Sequence, residues 1–131
     1  METKFFRCPH CGNVIVKVVE SGVPVVCCGE PMKELIPNTE EASMEKHLPY
    51  IACCDEHTVK VNVGRTDHPM LSEHYIQLIC LETETGFQIT YLKPESHPHA
   101  VFSVRSKPKN IYAYCNIHGL WKTPVKECPL K

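Results

Sequence analysis

Short stretches of alternating polar and apolar residues follow one another along most of the chain. Residues 60–63 (KVNV) and 88–91 (QITY) alternate with a period of two, which is typical of antiparallel strands with one buried face. No segment shows a convincing helical period of 3.6 residues. From residue 44 onward the pattern predicts seven strands, at residues 50–54, 58–63, 75–82, 87–92, 100–104, 111–115 and 120–125.

The strand pattern predicts an all-β chain in two parts. Seven short antiparallel strands are the number expected of an immunoglobulin-like β-sandwich, which we place at residues 44–131. Residues 1–36 hold short β-branched segments around cysteine pairs, and fewer than ~40 residues cannot bury enough core to fold without a metal or a partner chain. We therefore expect a small metal-knuckle domain there. The polar residues 37–43, which begin with a proline, are the expected linker.

Composition and charge exclude several classes of function. The 131 residues carry 14 Lys and Arg against 15 Asp and Glu, without a basic block that could follow a phosphate backbone, which disfavours nucleic-acid binding. The longest apolar runs fall far below the ~20 residues that span a bilayer. The charged N-terminal segment shows no apolar signal-peptide core. From these features we expect a soluble cytoplasmic protein.

Cysteine and histidine are unusually abundant. The chain holds nine Cys and eight His, which is too many for a reduced compartment unless thiolates and imidazoles have a use. A disulfide scaffold is the alternative, but it requires export and usually an even number of cysteines. Metal binding is therefore the leading interpretation.

The first candidate metal site precedes residue 30. Cys8-x-x-Cys11 places two thiolates on one tight turn, where Gly12 can adopt the positive φ that directs backbone N–H groups toward sulfur. Cys27 and Cys28 supply the other half, and because they are adjacent we expect a distorted tetrahedron. Zinc and iron both accept four thiolates, so the ligand type alone leaves the metal open. His10, inside the turn, is expected to be an exposed spacer.

The second candidate site combines four imidazoles with one thiolate. Its donors are His47, His68, His74, His118 and Cys115. Cys115 and His118 have the spacing of a metal knuckle, and prolines follow closely after His47 and His68. A single thiolate among imidazoles suits a redox metal, because it donates charge to the ion. Five donors leave a sixth position for a small oxygen species.

These motifs resemble the desulfoferrodoxin family, the two-iron form of superoxide reductase. The resemblance rests on the paired cysteines of residues 8–32, similar to the desulforedoxin-type domain, and on EKHLPYI, VGRTDHPM, SEHYI and YCNIHGLWK, similar to the catalytic, neelaredoxin-like domain. It implies two iron ions per chain, one held by Cys8, Cys11, Cys27 and Cys28. The other would have His47, His68, His74 and His118 as equatorial ligands and Cys115 as the axial ligand.

The same resemblance implies the activity and the partners. Superoxide would be reduced to hydrogen peroxide at the second iron, with Glu45 and Lys46 as the flanking catalytic acid and lysine. We expect Lys46 to attract the anion and Glu45 to occupy the sixth position when the iron is oxidised. A rubredoxin-like protein would supply electrons, and the chain would form a homodimer partly through its small domain.

Three rival functions remain open at this point. A non-catalytic iron protein for electron transfer or metal storage would need a closed, six-coordinate second site. A zinc-ribbon interaction module would explain only the first cysteines, and a dismutase would have to oxidise superoxide as well.

Several residues lie outside both motif sets. We interpret Cys53, Cys54, Cys80 and Cys128 as small buried apolar residues, and His57, His97 and His99 as surface residues.

Overall fold

A computed structural model describes residues 2–40, 42 and 44–126. The chain divides into two compact units, residues 1–36 and residues 37–131. Within the described residues, no helix is long and apolar enough to cross a membrane.

The first unit is built from very short strands. Phe5–Arg7 (β1) is the centre of a three-stranded antiparallel sheet, between Val14–Val16 (β2) and Lys33–Glu34 (β5). Val26–Cys27 (β3) and Glu30–Pro31 (β4) pair as a hairpin. Among the described residues of this unit, the buried apolar side chains are those of Phe5, Cys8 and Met32. So small a core agrees with the expectation that a metal holds the unit together.

The second unit is a sandwich of two antiparallel sheets preceded by one helical turn. The helix α1 covers Met44–His47. One sheet has the order β10-β7-β6 and the other β12-β11-β8-β9. The strands are Pro49–Cys54 (β6), Thr58–Val63 (β7), Ile76–Thr83 (β8), Phe87–Tyr91 (β9), His99–Ser103 (β10), Pro108–Cys115 (β11) and Gly119–Pro124 (β12).

The sheets pack through the residues that the period-two pattern placed inside. In β7, Val59, Val61 and Val63 are buried in the core, and the intervening Lys60 and Asn62 are only partly buried. Ile79 and Leu81 of β8 belong to the same core. The predicted all-β fold with an immunoglobulin-like sandwich is therefore confirmed, with all seven strands within a few residues of their predicted positions.

The sequence pattern did not predict the helix α1. Four residues form about one turn, which is too short for a 3.6-residue period to show. Its last residue is His47, so the missed element carries a candidate ligand.

Strand directions bring one end each of β6, β7, β8, β11 and β12 to the same end of the sandwich. The start of β6 pairs with the end of β7, through Pro49 and Val63. The end of β11 pairs with the starts of β8 and β12, through Cys115. Because neighbouring strands are antiparallel, α1, the loop between β7 and β8, and the β11–β12 turn all gather there.

Candidate metal centres

Four cysteine sulfurs of the first unit converge on one point. The ligand atoms of Cys8, Cys11, Cys27 and Cys28 all lie within 4.8 Å of one another. Cys28 has a φ of 56° and Gly29 a φ of 76°, so two successive residues in the left-handed region let adjacent cysteines turn toward the same point. This backbone conformation allows two adjacent cysteines to reach one ion, although adjacent residues match tetrahedral angles poorly.

Backbone donors stabilise a thiolate in the first turn. Gly12 has the expected positive φ, of 83°, and the N–H groups of His10 and Cys11 approach Cys8 Sγ at 3.4 and 3.5 Å. The N–H of Cys11 above all lowers the pKa of Cys8 to about 6. The crowding of sulfurs, first that of Cys11, raises the pKa of Cys28 to about 12, so Cys28 becomes a thiolate when a cation binds.

His10 is not a member of the cysteine cluster. Its side chain is exposed, and its Nε2 lies 2.6 Å from the Glu30 carboxylate. The ring is engaged with Glu30 on the surface of the unit, as a spacer residue would be.

Replacing Cys28 with Ser separates the two clusters. We expect the first cluster to lose its metal, or to bind it with an altered visible spectrum, while the second keeps its own ion, since the two share no residue. Metal content per chain and visible absorption measure both effects. Loss of both metals from a variant that remains folded would contradict two independent sites.

Four imidazoles and one thiol converge at the end of the second unit. The ligand atoms of the set all lie within 4.8 Å of one another. The residues come from α1, from the β7–β8 loop, from β11 and from the β11–β12 turn. They are His47, His68, His74, Cys115 and His118.

The four rings follow one another around a common centre. Neighbouring rings are nearly perpendicular, with centroids 4.5 to 5.0 Å apart, whereas His47 and His74 stand on opposite sides, 6.4 Å apart. His47 Nε2 and His118 Nδ1 lie 3.0 Å apart. Adjacent ligands at bond lengths of about 2.1 Å are separated by about 3.0 Å, so this pair already has the spacing that one ion requires.

Two buried nitrogens have no partner in the described protein. These atoms are Nε2 of His68 and Nε2 of His74. The Nδ1 of His68 lies 2.7 Å from the carbonyl oxygen of Pro69, so Nδ1 carries the ring proton and Nε2 has a free lone pair. Burial lowers the pKa of His68 to about 4 and lowers that of His74. Both imidazoles therefore stay neutral, the form that binds a metal.

Cys115 places its sulfur among the rings from the end of β11. The residue is fully buried, which raises the pKa of its thiol. The N–H of His118 lies 3.4 Å from Sγ, and the N–H of Ile117 also lowers this pKa.

Asn116 ties two ligand-bearing segments together. Its Oδ1 accepts the N–H of Tyr75 at 2.9 Å, and its Nδ2 donates to the carbonyl of Glu73 at 3.0 Å. These bonds hold the backbone on both sides of His74 against the turn that carries Cys115 and His118. Sequence reasoning missed this role, because a contact between such distant positions has no local signal.

Trp121 supports two ligands with one side chain. Its ring stacks on His47 with centroids 4.9 Å apart and planes at 28°. Its Nε1–H donates to the carbonyl of His118 at 3.1 Å. The sequence analysis named this residue only within the YCNIHGLWK motif. A single tryptophan three residues after a candidate ligand is a signal that could have indicated its supporting role.

Graded substitutions of Trp121 test that support. Trp121→Phe keeps a ring beside His47 and loses the donor, whereas Trp121→Leu loses both. We expect the Leu variant to release iron roughly 10–100-fold more readily to a chelator, as for other partners of metal ligands, with Phe between it and the parent. The buried core residue Phe102 supplies the control. If Phe102→Leu weakened iron binding equally, the effect would be general destabilisation.

Glu45 and Lys46 lie on α1 immediately before His47, and both are exposed. The backbone of α1 is held by the N–H of Arg65, which donates to the carbonyl of Glu45 at 2.7 Å. Gly64 has a φ of 84°, and a Cβ there would stand 2.6 Å from the carbonyl oxygen of Lys46. The helix can pack this closely because position 64 is glycine.

The remaining cysteines depart in part from the expectation. Cys80 is fully buried and free, as expected, but Cys53 is only partly buried. Cys54 is buried in the core of the sandwich, as expected, but it is also disulfide-bonded, which was not expected. Cys128 lies outside the described residues.

Comparison with known proteins decides the family. The desulfoferrodoxin family profile matches residues 39–124, and the profile of the desulfoferrodoxin N-terminal domain matches residues 1–35. The chain belongs to the desulfoferrodoxin family. It is 42% identical to the desulfoferrodoxin of Desulfarculus baarsii over 118 residues, which cover 89% of this chain and 92% of that protein. It is also 42% identical to a desulfoferrodoxin homologue of Archaeoglobus fulgidus, with 90% and 94% covered.

A solved structure agrees with the family assignment. The superoxide reductase of Treponema pallidum is 32% identical and superposes with a TM-score of 0.78, covering 94% of this chain and 99% of that one. The two clusters of this family member correspond to two iron ions per chain. The donor sets fit iron: four thiols in one, and in the other neutral imidazoles with unpartnered nitrogens beside a thiol.

Proposed function

We infer that this family member is a superoxide reductase, which converts superoxide, one electron and two protons into hydrogen peroxide. The observation that carries the inference is the convergence of His47, His68, His74, His118 and Cys115 on one point. The four imidazoles and the Cys115 thiolate would together hold the iron. Iron bound there supplies the electron.

The residues around this site would determine how readily the iron gives an electron to superoxide. Cys115 would donate charge to the metal and thereby favour its oxidised state. The N–H groups of His118 and Ile117 moderate that donation, because they draw charge from the sulfur. A thiolate that favours oxidised iron suits a reductase better than a dismutase, which must also return the electron.

The number of strong donors separates this proposal from a non-catalytic iron protein. Within the described residues, the cluster contains five donors and no sixth, so a six-coordinate iron held there would have one position left for substrate. An electron-transfer or storage centre would close it. We propose that Glu45, two residues before His47 on α1, would occupy this position in the oxidised enzyme and would leave it on reduction.

Lys46 is the proposed electrostatic guide. Its side chain is exposed and directly precedes His47, so its positive charge lies at the end of the sandwich where substrate arrives. A local cation raises the encounter rate of a small anion, and its ammonium group orients a water that delivers a proton.

Product stoichiometry tests the proposed reaction. Pre-reduced protein is mixed with a known amount of superoxide under anaerobic conditions, and peroxide and dioxygen are measured. We expect one hydrogen peroxide per superoxide consumed and no dioxygen. One peroxide for every two superoxides, with dioxygen released, would establish dismutation instead.

We also propose the division of labour along the chain. Residues 1–36 form the iron domain with Cys8, Cys11, Cys27 and Cys28, residues 37–43 the linker, and residues 44–131 the catalytic domain. Superoxide reduction requires a redox electron donor, and we propose a rubredoxin-like protein in this role. Reduction of the second centre by rubredoxin, followed spectroscopically, tests the donor.

A homodimer and a cytoplasmic location complete the proposal. Val18, Val19, Val23 and Val26 of the first unit are 62 to 82% exposed, which leaves apolar surface for a second copy to cover. Sedimentation analysis of the iron-loaded chain should give twice its mass. We propose a cytoplasmic location and a detoxifying role for the enzyme, and cell fractionation tests the location.

A further inference from the structure

One side chain of the first unit donates a hydrogen bond to a ligand sulfur. The Nδ2 of Asn13 lies 3.6 Å from the Sγ of Cys27, and Asn13 is not itself a member of the cysteine cluster. We propose that Asn13 is a positioning residue that acts through Cys27 and raises the reduction potential of the first iron. The proposal rests on iron in the cysteine cluster and is independent of the reaction with superoxide at the second cluster.

The backbone around Asn13 fixes the point from which its side chain starts. The N–H of Cys8 donates to the carbonyl of Asn13 at 2.9 Å, so Asn13 closes the turn that carries Cys8 and Cys11. The next residue, Val14, begins β2 and pairs with Arg7 of β1. Because the turn is tied at both ends, the amide of Asn13 is directed to the cluster without a large loss of backbone freedom on binding.

The hydrogen bond joins the two halves of the cysteine cluster. Asn13 belongs to the turn between β1 and β2, whereas Cys27 is the last residue of β3. Cys8 receives the N–H groups of His10 and Cys11 from its own turn. In the part of the chain that the structure describes, no other side-chain N–H donates to a sulfur of this cluster. Asn13 therefore supplies to Cys27 what the backbone supplies to Cys8.

A donor to a ligand sulfur favours the reduced state of the site. Reduction adds one electron and no proton to an iron held by four thiolates, so the sulfurs carry more negative charge in the reduced form. The amide N–H of Asn13 stabilises that extra charge, and hydrogen bonds to sulfur are among the features that set such potentials. Asn13 is exposed and Cys27 is only partly buried, so water can replace part of the interaction and the effect is moderate in size.

Redox titration of Asn13 variants of the iron-loaded chain tests the proposal. Asn13→Leu keeps the approximate shape of the side chain and removes the donor, whereas Asn13→Asp places a carboxylate beside the sulfur. At a fixed potential we expect the oxidised-to-reduced ratio of the first iron to rise by roughly three- to tenfold in the Leu variant, the size of a typical net hydrogen-bond contribution. The Asp variant should show a larger rise. Visible absorption at controlled potential measures the ratio, and the second iron should titrate as in the parent.

Two control variants separate the hydrogen bond from its surroundings. His10→Ala removes another side-chain link between the two halves, the 2.6 Å contact of His10 with Glu30, but it leaves the donors to sulfur in place because His10 donates through its backbone. Ser21→Asp adds a negative charge in the exposed segment between β2 and β3. Both controls should keep the potential of the parent.

A second measurement tests the hydrogen bond itself without any variant. With a spin-active cadmium isotope in the cysteine cluster, NMR should show a scalar coupling between cadmium and the side-chain amide protons of Asn13, transmitted through the N–H···S bond. Absence of this coupling would overturn the proposal. An unchanged potential in Asn13→Leu would do the same, and so would a shift of equal size in His10→Ala or of equal size in Ser21→Asp and Asn13→Asp.

Discussion

Cys115→Ser abolishes the sulfur-to-iron charge-transfer absorption of the second centre and nearly all superoxide reduction. The iron can remain on four imidazoles, but the charge-donating axial ligand is gone. Partners that merely orient a ligand are worth roughly 10–100-fold in activity, so we expect a loss on the order of hundredfold or more. Visible spectra and stopped-flow kinetics with superoxide measure the two effects.

Cys80→Ser is the matched control for that variant. Cys80 is also fully buried, on strand β8, but it is not a member of either cluster. The same chemical change there should leave the spectrum and the rate of the second centre unaltered. If Cys115→Ser kept the parent's absorption and activity, Cys115 would not be the axial ligand.

Lys46→Ala slows the encounter with superoxide and leaves the iron content and spectrum nearly unchanged. A protonated ammonium cannot bind iron, so the side chain acts through its field alone. Loss of a local charge beside the open position should reduce the second-order rate by roughly tenfold or more. Pulse-generated superoxide mixed with reduced protein gives this rate directly.

Salt dependence separates a field effect from a loss of structure. The Debye length shortens from ~10 Å at 0.1 M to ~3 Å at 1 M salt, so the parent rate should fall with added salt and the variant rate should fall less steeply. Lys46→Arg keeps the charge and should restore most of the rate. Lys107→Ala removes a lysine from the β10–β11 loop, at the other end of the sandwich from the cluster. If the parent and Lys46→Ala shared one rate and one salt slope, Lys46 would have no part in attraction.

Local patterns predicted the strands and the knuckles well. The buried face of β7 and the turn at Gly12 follow from rules that act over two to four residues, which a sequence displays directly. The helix α1 was not predicted, because a single turn is too short to show the 3.6-residue helical period. The disulfide at Cys54 was not predicted, because disulfide pairing depends on which chain segments meet in space.

The second cluster required more than local patterns. His47 and His118 are 71 residues apart, yet their ring nitrogens lie 3.0 Å apart. Spacing predicts only that Cys115 and His118 share a turn, and the resemblance to a known family joined the other three histidines to them. The physical cause of the convergence is the antiparallel order of both sheets, which gathers α1, the β7–β8 loop and the β11–β12 turn at one end. The supports from Asn116 and Trp121 depend on the same topology.

The central claim is that two separate irons are present and that the five-donor centre reacts with superoxide. Metal analysis of the purified chain, combined with visible spectra of the reduced protein before and after one equivalent of superoxide, tests it most directly. We predict two irons per chain and, immediately after mixing, the appearance of the absorption that disappears in Cys115→Ser, while the spectrum of the cysteine centre is still that of the reduced form. Consumption of superoxide with no change in that absorption, or a chain that binds iron at only one of its two clusters, would contradict the account.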